Sequence, residues 1–178
     1  MIRLEPLARH SADAIDGLLD AAFGPERRGR TAYRIRLGMA WLTDLSFAAV
    51  DGDGGLVGLL QSWPVALHGP DSSQAPLVMV GPVAVMPGVQ GGGHGRALMD
   101  RLIEQATHVT DEPLMMIGDP GYYQRFWGFS AEATGGWDAP GPFERHRLLA
   151  RLSRATGHGI PERGMLGPRV VVRETVTG

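Results

Sequence analysis

Residues 89–98 read VQGGGHGRAL, with glycine at four of the five positions 91–95, and run straight into LMDRLIEQA, good helix formers with apolar residues at helical spacing. Glycine is costly in a helix interior, so its concentration against a helix start calls for a reason. The first turn of a helix leaves backbone N–H groups without partners, and the helix dipole makes that end partly positive. Glycines just before it let the chain turn tightly and aim several N–H groups at one point, where a diphosphate can approach the backbone itself. Gly91, Gly92, Gly93 and Gly95 are the candidates for that contact. Arg96 adds a cation on the first turn, a poor choice for the helix and a sensible one for phosphate. A plain flexible turn would need one or two glycines, not four. No Gly-Lys-Ser/Thr follows, which excludes a Walker A loop. Leu98 stands where a dinucleotide fingerprint needs its third small residue, so the acidic pair Asp111-Glu112 at ribose-binding distance is a coincidence.

A strand must deliver this loop and a helix must carry it away. Leu77 to Met86 (LVMVGPVAVM) is dense in valine and reads as a central strand, with Gly81-Pro82 predicting a bulge or kink because proline cannot donate to the ladder. The helix follows over about 94–109. Upstream, Ile2 to Leu7 is a short strand, and Ser11 is an N-cap for a helix that places Ala14, Ile15, Leu18, Leu19 and Ala22 on one face before Gly24-Pro25 stops it. Residues 30–39 form a second helix. Leu45 to Val50 and Leu56 to Val65 pair across the DGDGG turn at 51–55, and residues 68–76 form a loop. Downstream come a strand at Leu114 to Ile117, a short helix from Asp119, a strand near Arg147 to Leu152 and a last candidate strand at 168–174 (PRVVVRE). Asp119 before Pro120 is an N-cap with proline at the first helical position. The alternation gives one mixed α/β domain over residues 1–178, without repeat or linker.

Composition narrows the chemistry. The chain has 178 residues, 43% of them hydrophobic, enough for one real core. Its 17 Lys and Arg against 19 Asp and Glu leave a net charge of −2, so no basic footprint points to nucleic acid. Arg27, Arg28, Arg30, Arg34 and Arg36 cluster locally and read as a solvated helix face. Cysteine is absent, which excludes disulfides, thiolate metal sites and a cysteine nucleophile. The 6 histidines show no ligand spacing, so no metal is expected. MIRLEPLARH carries no signal-peptide stretch, and no run approaches the roughly 18 apolar residues of a membrane span. A soluble cytoplasmic protein is expected.

The glycine loop resembles the acetyl-CoA pyrophosphate loop of the GNAT superfamily of N-acetyltransferases. That family's signature, Gln/Arg-x-x-Gly-x-Gly/Ala, is met by Gln90, Gly93 and Gly95, and the preceding Val83-Ala84-Val85 followed by Met86-Pro87 is similar to its fourth strand. GDPGYYQRFWGFSA (118–131) resembles the later motif, a short tyrosine-bearing helix leading to a Gly-Phe strand start, most of all as it stands in the YhbS-type bacterial branch. Clear resemblance covers about residues 76–135. It implies a mixed, mostly antiparallel sheet of six or seven strands with about four helices, in which the parallel fourth and fifth strands splay apart. Acetyl-CoA would be the co-substrate, its pantetheine amides paired with the backbone of Val83, Ala84 and Val85. His94, inside the loop, would contact phosphate or solvent.

The implied reaction is direct attack of an amine on the acetyl thioester. It needs the two reactants held together, the carbonyl polarised and the departing thiolate protonated. Tyrosine suits the last task, since its pKa near 10 exceeds that of a thiol near 8.5. The family carries such a tyrosine on the helix after the fifth strand, and Tyr123 is the candidate. The branch runs Tyr-x-x-Phe-Gly-Phe, whereas here Trp127 is inserted between Phe126 and Gly128. One residue rotates a helix by about 100°. Set as a bulge at the helix-to-strand junction, the expected arrangement, the insertion leaves Tyr123 in place; absorbed within the helix, it would bring Tyr122 there. No ionisable residue lies in LVMVGPVAV, and Glu26, Asp44, His68 and Asp119 remain open as general base. Trp41, Trp63 and Trp137 fall where the family lines its acceptor cleft or, equally, in the core. The acceptor is a small-molecule or peptide amine, and homodimer formation is open. Two rival readings stay open: a catalytically silent acyl-CoA-binding module, and transfer of a longer acyl group.

Overall fold

The computed structural model describes residues 2–153 and 160–170. In chain order the elements are β1 (Arg3–Pro6), α1 (Ala12–Phe23), α2 (Thr31–Ile35), β2 (Phe47–Val50), β3 (Leu56–His68) and β4 (Gln74–Val85). They continue with α3 (His94–Val109), β5 (Leu114–Ile117), α4 (Pro120–Trp127), β6 (Gly136–Asp138), β7 (Leu148–Arg151) and β8 (Arg163–Pro168).

Local chemistry sets several boundaries as expected. Ser11 Oγ accepts from the Ala14 N–H at 3.1 Å, and Ile15, Leu18 and Leu19 of α1 are buried. Asp51 Oδ1 accepts from the N–H groups of Asp53 and Gly55, which closes the turn between β2 and β3. The second helix is shorter than its predicted span over 30–39. It stops after Ile35 because only one turn is buried: Leu37 is 71% exposed and Gly38 takes φ +77°.

The strands form one sheet in the order β1-β2-β3-β4-β5-β7, with β8 pairing both β3 and β6. Among the described residues only β4–β5 and β6–β8 are parallel. Among the described residues the sheet thus has eight strands rather than the six or seven expected, since β6 carries no sequence signal of its own. A strand without a prediction lies at 163–168; of the candidate strand at 168–174, Pro168 ends β8, Arg169 and Val170 are not in a strand, and residues 171–174 fall outside the described residues. A Cβ on Gly164 would stand 2.8 Å from the His68 carbonyl oxygen, so the bare glycine lets β8 approach β3 closely.

The expected irregularity at Gly81-Pro82 is a bulge. Leu60 pairs with Val83 and Ser62 with Val80, so Gly81 and Pro82 together face Gln61. Their peptide bond is cis. Beside this point β4 leaves β5. The two strands pair only at Val78–Leu114 and Met79–Met115, while β5 stays paired with β7 along its whole length. Buried side chains hold both sides of the parting. Leu98, Met99 and Leu102 of α3 pack on Phe47, Leu60, Val78 and Val80, and on the other face α1 covers Ala48, Val50, Leu59 and Ala84.

Candidate active site

The loop after β4 turns on three glycines with positive φ: Gly88 (+98°), Gly91 (+87°) and Gly93 (+84°). Gly93 is the N-cap of α3, and no side chain caps that end, so its first N–H groups stay available. Gly95 serves differently. A Cβ there would meet the Val85 and Val83 side chains at 3.8 and 4.0 Å, so its bareness keeps the groove between α3 and β4 open. That groove is a cavity of about 480 Å³ reaching from Val83, Ala84 and Val85 to Gln90, Gly91, Gly93, His94, Gly95 and Arg96. Of the predicted loop residues, Gly92 alone is not on its wall. His94 Nδ1 is buried without a hydrogen-bond partner. Arg96 lies 4.3 Å from the Phe126 ring centre, so its guanidinium is oriented by stacking.

The α4 helix reaches this groove from the other strand. Asp119 Oδ1 accepts from the Gly121 N–H at 2.9 Å, the predicted cap, with Pro120 at the first position. The inserted Trp127 is not a bulge. It is the last residue of the helix, after both tyrosines, so it does not turn them relative to the helix start, and it is 7% exposed, its Nε1 donating to Asp100 Oδ1 of α3 at 2.8 Å. The chain turns afterwards at Gly128, in the left-handed region at φ +73°. Both tyrosines face the groove, with ring centres 5.1 Å apart. Tyr122 is 38% exposed, whereas Tyr123 is mostly covered. Burial first, then Tyr122 and Asp119, push the Tyr123 phenol above its ordinary value of 10.0, against a smaller opposite pull from Arg147.

A second cavity of about 780 Å³ adjoins the first, between α2, the bulge of β4, the end of β5 and the segment 142–147. Phe23, Val83, Tyr122 and Tyr123 line both. Of the open base candidates only Asp119 faces this cleft; Glu26 and Asp44 are exposed elsewhere, and His68 Nε2 is bonded to the Pro168 carbonyl at 2.8 Å. Glu144 and Arg147 also line it, and neither carries a spacing signal that sequence reasoning could use.

The arginine cluster is not the solvated face expected of it. Arg27 is 2% and Arg36 5% exposed, and both line the cleft with Arg30. The two buried arginines lie in the turn before α2 and just after it, and these flanking turns carry them inward, while Arg34 within α2 is exposed. Among the tryptophans, Trp137 is wholly buried in the core, its Nε1 bonded to the Pro161 carbonyl at 3.1 Å. Trp63 braces the bulge, with Nε1 donating to the Gly81 carbonyl at 2.8 Å, and Trp41 and Trp63 line a smaller neighbouring hollow. Among the described residues no group of three or more His, Asp or Glu could hold a metal, and no helix is long and apolar enough to cross a membrane.

A parted parallel strand pair, a glycine loop at a helix start and a second cavity meeting it at two tyrosines define an acyltransferase architecture. The acetyltransferase (GNAT) family model matches residues 14–129, and the chain belongs to that family. Solved structures agree in fold. The GNAT family N-acetyltransferase YhbS from Escherichia coli, in complex with CoA, superposes at a TM-score of 0.71 over 95% of this chain and 89% of that one, with 24% identity. A GNAT family acetyltransferase from Brucella melitensis in complex with acetyl-CoA gives 0.57 over 92% and 93%, with 23% identity. No curated protein matches the chain in sequence.

Proposed function

We propose that the protein transfers the acetyl group of acetyl-CoA to an amine by direct attack, with no covalent enzyme intermediate. One observation carries the reading: the groove below the glycine loop and the cleft beyond it share the walls Phe23, Val83, Tyr122 and Tyr123. Two reactants entering from opposite sides meet there, which is the positioning a two-substrate transfer requires. The structural neighbours crystallised with CoA and acetyl-CoA support the choice of donor.

In this reading the N–H groups of 91–96 hold the pyrophosphate at the start of α3, joined by Gln90, His94 and Arg96. The backbone of Val83, Ala84 and Val85 pairs with the pantetheine amides along the edge that β5 leaves open. The amine nitrogen bonds to the carbonyl carbon, the C–S bond breaks, and Tyr123 donates to the departing sulfur, its proton returned from solvent. Tyr123 is preferred over Tyr122 because burial keeps its phenol protonated and fixes its ring. The amine gives up its own proton to water in the cleft, where Asp119 and Glu144 are the available carboxylates.

The test combines two measurements. Calorimetry with CoA should show 1:1 binding, and a thiol-release assay with acetyl-CoA over a panel of primary amines should show turnover. CoA binding with no thiol released from any amine would replace the enzyme by a silent acyl-CoA-binding module. Faster release from a longer acyl-CoA would change the donor.

A further inference from the structure

Arg36 and Arg27 stand in one cleft wall and are treated differently by the chain. Arg27 is 2% exposed and fully answered, with Nε on Asp20 at 2.8 Å and Nη2 on Asp16 at 3.1 Å. Arg36 is 5% exposed and, among the described residues, forms no ion pair. Its guanidinium packs against the rings of Tyr33 at 4.0 Å and Trp63 at 3.9 Å, and Nη1 donates to the Gly81 carbonyl at 3.2 Å. Removal from water lowers its pKa to about 10, so it remains a cation at neutral pH. A buried charge without a counter-charge is expensive, and chains rarely keep one without use.

The surroundings say what would answer it. Arg30 and Arg147 face the same cleft, also without ion pairs among the described residues, and Arg147 spends Nε on the Gly118 carbonyl at 3.3 Å. Of the two carboxylates there, Asp119 is held as the α4 cap, and Glu144 stands at the rim with its side chain 66% exposed beside His146. Neither reaches Arg36. Much of the rest of the cleft wall is apolar, Phe23, Pro82, Met116 and Phe143 among it. A planar guanidinium held in place by rings has its in-plane N–H groups set for a carboxylate fork.

We infer that the acceptor is an amine carrying a carboxylate, which seats on Arg36 while an apolar body spans the cleft toward Tyr123. This rests on the transferase reading for the amine, but the anion seat is testable without turnover. With acetyl-CoA saturating, 6-aminohexanoate, 8-aminooctanoate and 4-(aminomethyl)phenylacetate, which carry amine and carboxylate at opposite ends of an apolar body, are compared with their amides and with hexylamine, octylamine and 4-methylbenzylamine, each rate referred to its neutral-amine fraction. The acids should be favoured in kcat/KM by about ten- to a hundredfold, the range that hydrogen bonds to charged groups supply. In Arg36→Gln the acid-to-amide ratio should fall to near one, mainly through KM, and in Arg36→Lys it should be partly kept. Calorimetry on the CoA-loaded protein uses hydrocinnamate against hydrocinnamamide. The carboxylate alone should bind, and Arg36→Gln, checked for an intact melting transition, should lose it. Acids no better than amides across the panel, or hydrocinnamate that does not bind the wild-type protein, overturn the inference. CoA and hydrocinnamate binding without release from any amine would leave the anion seat standing and remove the transfer.

Discussion

Two adjacent tyrosines differ most in how water reaches them. If Tyr123 donates to the departing thiolate as proposed, Tyr123→Phe removes one oxygen from a place where charge develops only as the C–S bond breaks. It should lower kcat by about 10²–10⁴-fold with little change in CoA affinity, because the ring stays and the phosphate contacts are elsewhere. Tyr122→Phe should cost less than about tenfold. A thiol-release assay on both variants checks this, and loss in Tyr122→Phe alone would move the role to the outer ring. The sign of the pH dependence follows from burial. The useful form of Tyr123 is the neutral phenol, and its pKa lies above 10.0, so raising pH does not strip the proton within the working range. The rate should therefore climb as the acceptor amine deprotonates and show no alkaline fall between about pH 7 and 9.5. A wild-type decline there that disappears in Tyr123→Phe would contradict the burial argument.

The elements show which parts of the site could be read from the chain. Glycines before a helix former and a proline in a valine run are local signals, and β4, its bulge, the loop and α3 all stand where those signals put them. Trp127 was legible as an extra residue but not as a helical one. Its place depends on Asp100, 27 positions upstream, which takes its indole N–H. Arg36 was hidden for a similar reason: the walls that bury it, Tyr33, Trp63 and Gly81, come from three separate elements. Two predictions belong at this scale. Trp127→Ala should destabilise the fold by about 3–5 kcal/mol, as deletion of a buried aromatic does, seen as a shifted denaturant midpoint. Gly95→Ala adds a helix-favouring methyl at ordinary contact distance and should raise stability by up to about 1 kcal/mol. Gly95→Leu or Gly93→Val should instead weaken CoA binding sharply with the fold retained, the first by filling the groove and the second by straining φ +84°. Unchanged calorimetry in both bulky variants would remove the pyrophosphate assignment.

At the scale of the whole molecule the sheet is held together everywhere except where it is needed open. β4 remains paired with β3 across the bulge, and β5 with β7, so the parting between them is built on two intact ladders. The amides of Val83 to Val85 on the side facing β5 should exchange with solvent faster than those of Val78 and Met79. They should slow by about tenfold or more when CoA is present well above its Kd, which hydrogen exchange resolves. Slowing confined to the glycine loop would show that the pantetheine arm lies elsewhere. The four residues common to both cavities carry a further consequence. A wall that two ligands touch couples them, and the coupling is reciprocal: whatever factor bound CoA applies to acceptor affinity, bound acceptor applies to CoA. Tyr122, 38% exposed beside the covered Tyr123, is the ring whose freedom both ligands would restrict. Acceptors measured on the empty protein and on the CoA-loaded protein therefore fall on two different affinity scales, and can be ranked against one another only at one fixed occupancy of the groove.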